Sequence, residues 1–121
     1  MDVLILFTAL AWKHAFEDLF LQTLHYSPNK SQYISNAHRH YAEHGLLTVI
    51  ICMFFVNPWL AFFAGLFDYI CHWHIDFAKD RLLTKINVER GTKPFFRIQA
   101  FDQILHFLDL IVFQFQLMLV E

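Results

Sequence analysis

The stretch that decides the fold is Gly45–Phe67, "GLLTVIICMFFVNPWLAFFAGLF", 23 residues without a charged group. A helix that crosses the hydrocarbon layer of a bilayer needs about 20 mostly apolar residues, so this stretch alone has the length of one span. Its apolar character continues to Phe77, however. The 33 residues from 45 to 77 would make a helix of about 50 Å, too long for a single crossing. Asn57-Pro58 offers the break, because proline disfavours helix at the residue before it and suits a helix's first turn. The reading is a tight hairpin of two helices that turns at Asn57-Pro58.

Working outward, two more apolar segments flank this hairpin. Polar loops separate them from it: "HYSPNKSQYISNAHR" (25–39) before, and "TKINVERGTKP", within a connection over 84–95, after. The expected helices are 3–24, 40–56, 59–83 and 96–120. The fold class is all-α, a four-helix transmembrane bundle, with residues 1–121 forming a single integral membrane domain. Composition agrees. Hydrophobic residues make up 57% of the chain and charged residues 17%, against roughly 45–50% and 25% in ordinary globular domains. The alternative is a soluble bundle with an unusually rich core, but four such segments leave little polar face to solvate it. A net charge of −2 gives no basic field for nucleic acid. Cys52 and Cys71 form no CxxC and sit in apolar runs, which reads as reduced and buried. The N-terminal "MDVLILFTALAWKHAFEDLF" has no basic region before its apolar run and no small-residue cleavage site, so a retained first helix is expected rather than a cleaved signal peptide.

Basic residues set the orientation. Lys30, Arg39, Lys79, Arg81, Lys85, Arg90, Lys93 and Arg97 lie beside the two long loops; Lys13 alone lies within the first helix. The positive-inside rule then makes loops 25–39 and 84–95 cytoplasmic and places both termini outside. The membrane expected is the bacterial inner membrane.

Ionisable groups inside membrane helices are costly and usually functional. Here they form ladders at helical spacing: His14, Asp18 and Gln22 in the first helix, His40 and His44 in the second, Asp68, His72, Asp76 and Asp80 in the third, and Asp102, His106 and Asp109 in the fourth. Alternating helix directions bring these groups to one level, just inside the cytoplasmic face. Histidine with carboxylate is a ligand set for zinc, or for iron, manganese or nickel, and helix bundles can build dinuclear centres this way. The expected ligands are His14, Asp18, His72, Asp76 and His106, with His44 and Asp102 next, holding one or two divalent ions. Lys79 would meet a phosphate or developing charge, and Asp102 or Asp68 would take a proton. Each residue also has a plainer reading. A single His is an interhelix hydrogen-bond partner; Asp76 pairs with Lys79 or Arg81, and Asp18 with Lys13; Lys79 and Arg81 are interfacial anchors. His25, His38 and His74 read as loop or interface residues, His40 as ambiguous, and Glu17 as off the face of Asp18.

"HAFEDLFLQ" (14–22), His44, "HWHIDFAK" (72–79) and "DQILH" (102–106) resemble the pattern of a family of small polytopic phage and bacterial membrane proteins of unknown function. That pattern matches at His14, Asp18, Gln22, His44, His72, Asp76, Lys79, Asp102, Gln103 and His106, and departs at Leu19, where the family usually has Phe. The family is similar to predicted membrane-bound metal-dependent hydrolases. The resemblance implies phosphoester hydrolysis on a lipid-like substrate. The partner expected is a membrane lipid or lipid-linked phosphate, reached from the cytoplasmic leaflet. Two other classes stay open: a non-enzymatic protein that binds a host membrane partner, and a metal-ion transporter, for which four short helices would need to form a homo-oligomer.

Overall fold

The computed structural model describes residues 2–21 and 36–120. Among them the chain is all-helical, with four α-helices and no strand. Helix α1 spans Val3–Phe16 and runs on into a π-helical turn, Glu17–Leu21. Helix α2 spans His38–Cys52, α3 spans Pro58–Lys85, and α4 spans Lys93–Val120. Gln22, His25 and most of the 25–39 loop lie outside the described residues.

Local chemistry explains the boundaries. Asp2 caps α1, its Oδ1 accepting from the Ile5 amide at 3.1 Å, which satisfies one of the first-turn donors. Asn57 does the same for α3, accepting from Leu60 N at 3.0 Å with Pro58 in the first turn. The second helix was expected to reach residue 56, but it stops at Cys52. There the Phe54 and Phe55 amides bond back to the carbonyls of Ile51 and Cys52, closing the tight turn into α3. The fourth helix starts three residues earlier than expected because Pro94 sits inside its first turn, where the missing N–H has no partner to lose. Asn87 (φ 50°) and Gly91 (φ 83°) take left-handed backbone to turn the chain between α3 and α4.

Helices α2 and α3 pack closely enough to exclude a side chain at their crossing. A Cβ on Gly45 would stand 2.7 Å from the Gly65 carbonyl oxygen and 3.1 Å from Tyr69 Cβ, and one on Gly65 would collide with Gly45 O and Val49 Cγ2. Small residues permit this kind of close backbone approach between helices.

The interior has two layers. Near the α2–α3 turn and the two chain ends, Leu6, Leu10, Cys52, Ala61, Ala64, Leu110, Phe113 and Leu117 form an apolar core. Toward the other end the buried side chains are polar: Lys13, His14, Glu17, His40, His44, Thr48, Asp68, His72, Asp76, Asp102 and His106. The outside is correspondingly apolar. Trp12, Phe54, Trp59 and Leu119 are each at least 74% exposed, and every helix carries further exposed Phe, Leu or Ile. Of the four helices, α4 is long and apolar enough to cross a membrane by length and composition. Helix α1 has 14 residues and α2 has 15, short of the usual ~20. Helix α3 has the length, but Asp68, Asp76, Lys79, Asp80 and Arg81 charge its second half. Both cysteines are free thiols, Cys52 buried as expected and Cys71 half-buried.

Candidate metal centre

The polar layer is assembled from one stripe of each helix. On α1 and its π-helical extension, two i,i+4 pairs lie side by side, Lys13–Glu17 and His14–Asp18. On α2 the stripe is His40, His44 and Thr48; on α3 it is Asp68, His72, Asp76 and Lys79; on α4 it is Asp102 and His106. Helical periodicity puts each set on one face, and packing turns the four faces inward together.

His72 is at the middle. It is 1% exposed, with its ring stacked on His44 at 3.7 Å and on His106 at 4.3 Å between centroids. His40 and His14 stand edge-on to it at 5.1 and 5.5 Å. Its Nε2 lies 3.6 Å from Asp76 Oδ2 and 3.8 Å from Asp18 Oδ1, and neither ring nitrogen has a hydrogen-bond partner among the described residues. Buried polar atoms are nearly always satisfied, and an imidazole left this way at the centre of four others is a candidate metal ligand.

Three carboxylates organise the rest. Asp18 Oδ1 lies 3.2 Å from His44 Nε2 and 3.4 Å from His40 Nε2, and its Oδ2 lies 3.2 Å from His14 Nε2. Asp76 Oδ1 lies 3.3 Å from His106 Nε2 and 3.7 Å from the Lys79 ammonium. Asp102 accepts from Lys79 at 3.0 Å through Oδ2, while its buried Oδ1 has no hydrogen bond among the described residues and sits 3.5 Å from His106 Nε2. Exposed Gln103 reaches both sides, its Nε2 3.3 Å from Asp102 and 3.5 Å from Asp18. Three groups bring ligand atoms within 4.8 Å of one another: Asp18, His40, His44 and His72; His14, His72 and His106; and Asp76, Asp102 and His106. These buried clusters have the donor types and spacing to hold a divalent metal ion.

A second network supports the first from deeper in the bundle. The Lys13 ammonium donates to Asp68 at 2.6 Å, to Thr48 Oγ1 at 2.9 Å and to the His44 carbonyl at 3.2 Å. Glu17, fully buried, stands 3.6 Å from the same ammonium, and its Oε2 lies against His44 Nδ1. A carboxylate behind a histidine fixes the ring and leaves the other nitrogen directed into the site.

The structure thus brings together His14, Asp18, His44, His72, Asp76, Asp102 and His106, with Lys79 at the edge. Asp68 is elsewhere: it is bound to Lys13 and to Thr48 Oγ1 at 2.5 Å and belongs to none of the three ligand groups. His74 bonds its own helix at Ile70 O, and His38 packs on Trp73 and Tyr69, away from the cluster. The sequence left His40 ambiguous, paired Lys13 with Asp18, set Glu17 off the face of Asp18 and gave Thr48 no role; in the structure Lys13 binds Asp68, Thr48 and the His44 carbonyl instead. The signal was present in the four-residue spacings 13–17 and 40–44–48. Glu17 is about 100° round the helix from Asp18, yet it is buried because α1 packs against α2 on one flank and α4 on the other.

Comparison with protein-family models, curated proteins and solved structures finds no match to this chain.

Proposed function

We propose that the chain is a four-span integral membrane protein whose His/Asp centre is a divalent-metal site for hydrolysis of a phosphoester on a lipid-like substrate. The observation that carries this reading is His72, buried among four other histidines with both ring nitrogens unbonded. The apolar exterior and polar interior support a membrane setting, where burying charge in protein is the only affordable arrangement. The basic loops favour the bacterial inner membrane with the centre near the cytoplasmic leaflet.

A bound divalent ion, zinc first and manganese or iron next, would supply a nucleophile from water at neutral pH and offset charge on the phosphate. The chain's own groups divide the remaining work. Lys79 and Gln103 face the rim and would bind and orient the anionic substrate. Asp102, whose Oδ2 accepts from Lys79, would hold that ammonium in place for the substrate and leave Oδ1 for the ion. Asp68, committed to Lys13 and Thr48, would position α1 against α2 and α3 rather than take part in chemistry. The resemblance to predicted membrane-bound hydrolases points the same way.

The test is metal content of detergent-purified wild type beside a His72→Ala, Asp76→Ala variant. The expected result is stoichiometric metal in the wild type and trace metal in the variant. Metal-free wild type would favour the second reading, a non-enzymatic protein that binds a host membrane partner. That reading has its own support: Lys13–Asp68 and Lys79–Asp102 already pair charges between helices, as interhelix ties would.

A further inference from the structure

We infer that the centre divides into two ion sites with different duties: a closed one made by Asp18, His40, His44 and His72, and an open one made by Asp76, Asp102 and His106. This rests on the metal-centre reading above and assigns its parts.

The division follows first from which ligands are shared. Of the three ligand groups, these two have no residue in common. The third, His14, His72 and His106, borrows one histidine from each and so does not fill independently of them. Coordination number separates their roles. Four protein ligands complete a tetrahedral shell and leave no room for substrate, as in structural sites; three leave a position open, as in catalytic ones. Donor chemistry separates them again. Three imidazoles and one carboxylate suit zinc, whereas two carboxylates and one imidazole form a harder set that accepts manganese.

Surroundings fit the same assignment. The closed set is backed by Glu17 against His44 Nδ1 and by the Lys13 network, which holds its ligands still. The open set borders Lys79 and Gln103 at the rim, where an anionic substrate would enter. Asp102 contributes a buried oxygen that no described residue satisfies.

Charge favours bound cations. Glu17, Asp18, Asp68, Asp76 and Asp102 place five carboxylates in the cluster against the two ammonium groups of Lys13 and Lys79. With neutral histidines, three negative charges are left uncompensated, which is costly in a buried site. One or two divalent ions bring the cluster within one charge of neutrality, and the separate ligand groups set the number at two.

The experiment titrates the full chain in detergent with Zn²⁺ and then Mn²⁺ against a competing chelator. Metal per chain is measured by elemental analysis, and bound Mn²⁺ by electron paramagnetic resonance. The expected result is about two ions per chain in two resolved steps, with Mn²⁺ entering only the weaker one. Asp102→Asn should lose the Mn²⁺ signal and keep about one zinc, and His44→Gln should weaken the zinc step first. Saturation of the wild type at about one ion in a single step overturns the two-site inference and leaves the metal-centre reading intact. Failure to bind any ion overturns both. The wild-type titration decides the matter even if a variant does not fold.

Discussion

Lys13 joins three helices through one ammonium. Its ammonium serves α2 through Thr48 and the His44 carbonyl, α3 through Asp68, and its own helix through Glu17. Removing one partner of a buried charge pair leaves the other uncompensated, at a cost of about 3–5 kcal/mol. Lys13→Met should therefore lower unfolding stability by that amount in detergent, measured by chemical denaturation. The double variant with Asp68→Asn should recover part of the loss, since the two effects are coupled through one contact. Equal and additive losses would mean that the pair contributes nothing as a pair. Lys13 also shows where reading the sequence stopped short. It was legible as a charge inside an apolar helix, and its nearest acid in spacing was Glu17. Its strongest partner, Asp68, is 55 residues away, and only the folded bundle, in which the ammonium reaches across the interior to α3, reveals it.

Helices were legible to within a few residues wherever a capping side chain or proline marks the boundary, as at Asn57-Pro58. They were less so where hydrogen bonding decides, as at Cys52, because the residues that follow are as apolar as those before. The ladders were legible because a four-residue spacing fixes a face, and His14, His72 and His106 do converge, with centroids 4.3–5.5 Å apart. Their convergence with His40 depended on how closely α2 and α3 approach, which the sequence signals only through Gly45 and Gly65. That approach is testable. Gly65→Ala inserts a methyl group against Gly45 O and Val49 and should cost about 1–3 kcal/mol through overpacking. Because the two helices carry His44 and His72, it should also weaken metal binding. An unchanged unfolding midpoint would show that the helices have room to separate.

The whole molecule inverts the usual distribution, with charged groups inside and Phe, Leu and Trp outside. In a bilayer that arrangement places each surface in its preferred medium, even though α1 and α2 are shorter than a typical span. The orientation proposed above is testable. In a chain with Cys52 and Cys71 replaced by Ser, a cysteine at exposed Phe54 should react with a membrane-impermeant thiol reagent on intact bacterial cells. A cysteine at Glu89 should react only after lysis. Labelling of both from the same side would mean that α3 does not cross. The claim on which the rest depends is that histidines and aspartates from all four helices meet around metal, and X-ray absorption at the metal edge of the purified protein tests it most directly. The account predicts a first shell of nitrogen and oxygen at about 2.0–2.1 Å, with multiple scattering averaging about two imidazole rings per ion. A spectrum with oxygen neighbours alone and no imidazole scattering would contradict it.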